Sequence, residues 1–146
     1  MYNQNSEIYL LINRVIFWIA IFSFLVLLFC TFNISHMLAL KIALVCGISF
    51  LICTILRKII NAPRPQINDS IYTKKTGESF PSRHVFSCLI IAFSWMQIHL
   101  LFGIVLAILG LILGYARVKI GAHHVSDIVG SLVLALICAG VGYMVF

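Results

Sequence analysis

The chain has 146 residues, 62% of them hydrophobic and only 10% charged, with a mean hydropathy of +1.12. Soluble domains carry roughly 25% charged residues, so this composition excludes an ordinary soluble domain and indicates one compact membrane domain over residues 1–146. The net charge of +6 sits beside apolar runs, in Arg57, Lys58, Arg64, Lys74, Lys75, Arg83, Arg117 and Lys119, so lipid phosphate is the expected partner and nucleic acid is not.

A spanning helix needs about 20 mostly apolar residues, and lipid forces its backbone groups to bond within the helix. Five runs qualify, and none shows the short alternating segments of an outer-membrane barrel. The expected fold is therefore all-α, a polytopic helical bundle of about five transmembrane helices. The first span covers about Ile8–Phe32, apolar without interruption from Val15. No small-residue cleavage site follows it, so it reads as a retained helix. The second covers about Met37–Leu56, with Lys41 placed to snorkel to the interface. The loop Asn61–Phe80 then holds Pro63, Pro65, Asn68, Asp69, Lys74, Lys75, Gly77 and Glu78. The third span runs from Ser82 to Ile98, the fourth from His99 to Ala116, and the fifth from Val125 to Phe146, with a reversal marked by Gln97 and His99. His36 and His99 read as structural helix-end residues. The five cysteines, Cys30, Cys46, Cys53, Cys88 and Cys138, lack redox or zinc spacing and read as small apolar residues. Small residues at Gly110 and Gly114, and at Ser131, Ala135 and Ala139, allow close helix approach.

With alternating spans, the ends of the second and fourth and the starts of the third and fifth share one membrane face. Those four ends carry the polar clusters Arg57–Pro65, Pro81–His84 and Ala116–Asp127. His123 and Asp127 are four apart, on one helix face, so the carboxylate can fix the imidazole tautomer and leave the other ring nitrogen basic. Arg117, in the turn leading into that helix, is placed to hold an anion against the ring. Pro81-Ser82-Arg83-His84 opens a helix whose first N–H groups favour phosphate, with Ser82 either the cap or an anion donor. Arg64 offers a fork for phosphate oxygens, preceded by Arg57 and Lys58, while Pro65 stops helix continuation. Two histidines, His84 and His123, meeting across one anion suit in-line displacement. A metal site of His123, His124 and Asp127 is disfavoured, because adjacent histidines on a helix point in different directions. A non-catalytic binder of anionic lipid is the alternative from another class, and it gives the two histidines no separate roles.

The chain resembles the type 2 phosphatidic acid phosphatase superfamily, which also contains the vanadium haloperoxidases, from about Arg57 to the C-terminus. The family pattern is Lys-x6-Arg-Pro, Pro-Ser-Gly-His and Ser-Arg-x5-His-x3-Asp. This sequence has Arg57-x6-Arg64-Pro65, Pro81-Ser82-Arg83-His84 and Ala116-Arg117-x5-His123-x3-Asp127. The resemblance implies that His123 is the nucleophile forming a phosphohistidine, Asp127 its orienting partner and His84 the acid for the leaving group. It implies phosphate binding by Arg57, Arg64, Ser82 and Arg117. Arg83, in place of glycine, adds a cation there, Arg57 replaces lysine with Lys58 as a substitute, and Ala116 removes a hydroxyl. His124 is left as an accessory contact. The N-terminal part is one span shorter than the common six-span plan.

The implied activity is hydrolysis of a lipid phosphate or diphosphate without metal or cofactor. The short 61–80 loop favours a polyprenyl diphosphate such as undecaprenyl diphosphate, with phosphatidate or phosphatidylglycerophosphate as alternatives. A haloperoxidase would not need the membrane anchor. The positive-inside rule places the cationic face in the cytoplasm, but the resemblance implies an extracytoplasmic site and explains those cations by phosphate binding.

Overall fold

A computed structural model describes residues 4–65 and 76–146, so Asn68, Asp69, Lys74 and Lys75 lie outside the described residues. Five helices follow one another: α1 (Gln4–Ile34), α2 (His36–Ile60), α3 (Arg83–Trp95), α4 (Leu100–Lys119) and α5 (Val125–Val145). α1, α2, α4 and α5 are long and apolar enough to cross a membrane. Their outward surface carries Phe22, Leu25, Phe29, Leu51, Leu111 and Ile137, all exposed, which suits lipid as the surrounding solvent.

The third helix departs from the expected span. It has 13 residues, which at 1.5 Å each amounts to about 20 Å and falls short of a bilayer core of about 30 Å. It is instead the packed centre of the bundle, touching all four other helices. Val85, Phe86, Cys88, Leu89 and Ala92 are wholly buried. The near-continuous apolar run from Val85 to Trp95 reflects burial on all sides by protein, a pattern that periodicity alone cannot separate from a lipid-facing span.

Polar residues set the helix ends. The Ser35 hydroxyl accepts from the Leu38 N–H at 3.4 Å, and His99 Nδ1 accepts from the Phe102 N–H at 3.2 Å, so His99 caps α4. Gln97 and Ile98 donate to the carbonyls of Ser94 and Trp95, closing the turn between α3 and α4 where Gln97 and His99 mark it. Asn61 takes a left-handed conformation, φ 43°, and donates to the Arg57 carbonyl at 3.0 Å. This steers the chain off α2 directly after Arg57.

Gly103 lies where α3 and α4 press closest. A Cβ there would stand 2.7 Å from the Ala92 carbonyl oxygen and 2.8 Å from the Met96 nitrogen, both backbone atoms. Gly103→Ala is expected to destabilise the bundle by about 1–3 kcal/mol, as overpacking does. Thermal unfolding of the detergent-solubilised variant measures this, and an unchanged transition would contradict the close approach.

Candidate active site

α4 delivers Arg117 in its last turn, two residues before its end, and not in the following turn as its spacing suggests. Beyond it, Gly121 adopts φ 70°, a left-handed reversal that favours glycine. The N–H groups of Gly121 and Ala122 close on the carbonyls of Val118 and Arg117, each at 3.0 Å. The chain is thereby turned so that His123 is buried just ahead of α5.

His123 and Asp127 meet, with Nδ1 and Oδ2 3.2 Å apart, although His123 lies two residues ahead of α5 and not on the helix face that the four-residue spacing suggests. An ionised Asp127 accepts the proton carried on Nδ1, which makes Nε2 the basic nitrogen of the ring. The same carboxylate oxygen accepts the His124 backbone N–H at 2.9 Å. It also accepts the Ser79 hydroxyl, which lies 3.4 Å from His123 Nδ1 as well. Ser79 is fully buried and belongs to none of the three clusters seen in the sequence. A lone serine in a polar loop gives no signal of its own; only its closeness to Pro81-Ser82 hints at a role.

Arg64 brings Ser79 into place. Its Nε donates to the Gly77 carbonyl at 3.1 Å and its Nη1 to the Ala122 carbonyl at 3.1 Å, so one guanidinium joins the 77–79 segment to the residue before His123. Arg64 is therefore a backbone staple as well as a source of positive field at His123. Arg57 does comparable work, donating from Nη1 to the Pro81 carbonyl at 2.7 Å. Lys58 next to it is exposed, since neighbours on a helix point about 100° apart, so Arg57 and not Lys58 turns inward.

Ser82 holds the N-cap position of α3, yet its side chain makes no capping bond. Its hydroxyl is wholly buried and has no hydrogen-bond partner among the described residues. Buried hydroxyls are normally satisfied, so Ser82 does not act as the side-chain cap of α3 and keeps a donor in hand. The start of α3 is tied to α5 through Ser131, whose hydroxyl donates to the Ser82 carbonyl at 3.1 Å and the Asp127 carbonyl at 2.6 Å.

His84 stands in the first turn of α3, its ring packed on Phe17 with centroids 4.6 Å apart. It lies within electrostatic reach of Arg117, Arg83, His123 and Arg57, so both histidines share one positive region. Arg83 is exposed and, with His84, borders an apolar groove of about 440 Å³ lined also by Phe17, Ile21, Phe50 and Ser87. His124 is exposed at the head of α5 and presents its backbone, not its ring, to the carboxylate at close range. Among the described residues, no group of three His, Cys, Asp or Glu is placed to hold a metal ion, so His123, His124 and Asp127 do not form one.

The PAP2 superfamily model matches residues 38–146, all three polar clusters and the four helix ends that carry them included. The chain belongs to the PAP2 superfamily. Within it, the chain is 33% identical over 87 residues to undecaprenyl-diphosphatase BcrC of Bacillus subtilis (strain 168), a stretch covering 58% of this chain and 44% of that relative. The match thus spans less than half of the relative's length. Two solved structures share the fold at 20% identity. LpxE of Aquifex aeolicus superposes with a TM-score of 0.68, covering 98% of this chain and 96% of that one. The first transmembrane PAP2 type phosphatidylglycerolphosphate phosphatase from Bacillus subtilis does so with 0.70, covering 97% and 82%. This PAP2 chain is accordingly membrane-embedded, and its α1 lies outside the residues the family model matches.

Burial holds the His123 ring well below the usual histidine range, at about 4, with Arg117 and Arg64 pushing the same way and the Asp127 hydrogen bond opposing. The neutral ring, which carries the lone pair, should persist as pH falls until about 4. Nitrogen-15 NMR of the histidines, assigned with a His123→Gln variant, checks this; protonation near 6.5 would contradict it.

Proposed function

We propose that this PAP2 protein is a lipid phosphate or diphosphate phosphatase working through a phosphohistidine. The observation that carries the reading is the His123–Asp127 pair buried beside His84 in a field of four arginines. The neutral His123 Nε2 attacks phosphorus, forming a P–N bond as the P–O bond to the lipid breaks. Burial, with Arg117 and Arg83 pushing the same way, holds the His84 ring well below the usual histidine range, at about 3, so it takes up a proton only with the incoming phosphate anion. It gives that proton to the departing oxygen and then takes one from the water that attacks the phosphohistidine. That second step breaks the P–N bond, releases inorganic phosphate and restores both rings. Arg57, Arg64, Arg83 and Arg117, the Ser82 hydroxyl and the first N–H groups of α3 balance the charge on the phosphoryl oxygens. This positive field takes the part a metal plays elsewhere, so activity is expected to survive a chelator.

The substrate we favour is undecaprenyl diphosphate, attacked at its terminal phosphorus to leave the monophosphate. The partial identity to BcrC supports that choice over phosphatidate and phosphatidylglycerophosphate. The apolar groove beside His84 suits an isoprenoid chain lying alongside α1 and α2. His123→Ala should reduce phosphate release to background, and His84→Ala should lower it by about 10²–10⁴-fold, the usual weight of a general acid. Release assays on the three lipids in detergent, with and without EDTA, test the reading. Hydrolysis by His123→Ala would overturn the mechanism, and preference for a glycerolipid would overturn the substrate.

The site is further proposed to face the extracytoplasmic side. α5 begins at the site and runs away from it, so its C-terminus would then be cytoplasmic. A C-terminal reporter active only outside the cytoplasm should be silent, and a signal from it would reverse the orientation.

A further inference from the structure

Besides the helix ends that bear the family motifs, α1 also reaches the site. Asn13 is 5% exposed and accepts a hydrogen bond from Arg117 Nη1 at 2.7 Å, across 104 residues of sequence. The other buried polar side chains of α1 behave differently: the hydroxyls of Ser23 and Thr31 return to carbonyls of their own helix. One turn beyond Asn13, on the same face, Phe17 carries the His84 ring. One turn before it, Tyr9 meets Tyr115 edge-on at 6.1 Å, two residues from Arg117. A stripe of α1 thus lies behind two groups of the site, and a polar residue inside a spanning helix is a functional suspect by default.

We propose that Asn13 is a positioning residue for phosphate binding, holding the Arg117 guanidinium in place without neutralising it. This rests on the reading of Arg117 as a phosphate ligand. The chemistry of the amide is the point. A carboxylate at position 13 would hold the guanidinium equally well but would form an ion pair, cancelling charge meant for the substrate. An apolar residue would remove this bond to the fork, and a rigid fork is what makes arginine effective on phosphate. Asparagine alone among similar shapes supplies an acceptor and no charge.

The test compares Asn13→Ala and Asn13→Asp with the full-length parent in detergent, reading competitive inhibition by inorganic phosphate and the thermal transition together. Both variants should raise the inhibition constant about tenfold, the weight of one charge-assisted bond. Asn13→Asp is the discriminating variant, since it keeps the size and the acceptor oxygen. A purely structural role predicts that it binds phosphate like the parent, and that result overturns the proposal even if Asn13→Ala fails to fold. A lowered thermal transition with unchanged phosphate inhibition in both variants overturns it as well. Arg117→Ala separates the two levels of inference. If it leaves phosphate inhibition unchanged, the assignment of Arg117 to phosphate is wrong; if it weakens inhibition while the Asn13 variants do not, only the present proposal fails.

Discussion

One oxygen atom, Oδ2 of Asp127, organises the reactive end of this bundle. It gathers the Ser79 hydroxyl from the loop after α2, the imidazole of His123 from the turn after α4, and the backbone N–H that opens α5. A buried carboxylate is tolerated only when donors replace its lost water. Here the donors that satisfy it are also the groups the chemistry needs fixed. Stabilising the charge and orienting the His123 ring, the proposed nucleophile, are one set of bonds, so neither can be altered without the other.

The arginines impose the complementary constraint. Arg57, Arg64 and Arg83 act on one another electrostatically, and Arg117 acts on both histidines. Like charges about 10 Å apart repel by roughly 1–2 kcal/mol per pair at an effective dielectric near 20. Part of that cost is offset by backbone carbonyls, of Pro81 for Arg57 and of Gly77 and Ala122 for Arg64. Carbonyls orient a guanidinium and leave its net charge in place. The Asn13 amide does the same for Arg117. These neutral acceptors fix guanidinium positions without themselves cancelling charge, which suits the proposed phosphate binding.

What was legible in the sequence follows from which interactions are local. The His123–Asp127 pair is readable from its spacing at the head of a helix, although the contact bridges the turn before α5 and not one helix face, and the helix ends could be ordered because successive apolar runs reverse direction. The bounds of α3 were readable to within a few residues, because Gln97 and His99 mark the turn after it, but its enclosure by protein was not, since burial by protein and burial by lipid select the same residues. Ser79 and Asn13 escaped for a different reason. Each acts through long-range bonds, and a single serine or asparagine leaves no periodicity or spacing to detect. Ser82 was legible as a position, but its role depended on a hydroxyl direction that only the packed structure supplies.

The short central helix explains why so small a bundle can hold such a site. α3 is enclosed by all four neighbours, and its N-terminal end is bonded to the long helices, the carbonyl of Ser82 to Ser131 of α5 and that of Pro81 to Arg57 of α2. Ser82 is thus fixed by protein, while His84 borders the groove. Rigid support of that kind lets backbone N–H groups and a hydroxyl stabilise developing charge without reorganising during the reaction. In the proposed function, the groove beside Phe17 and Phe50 gives an apolar tail a path alongside this end of α3, so that a lipid would present its phosphate to the site while its tail stays among apolar side chains.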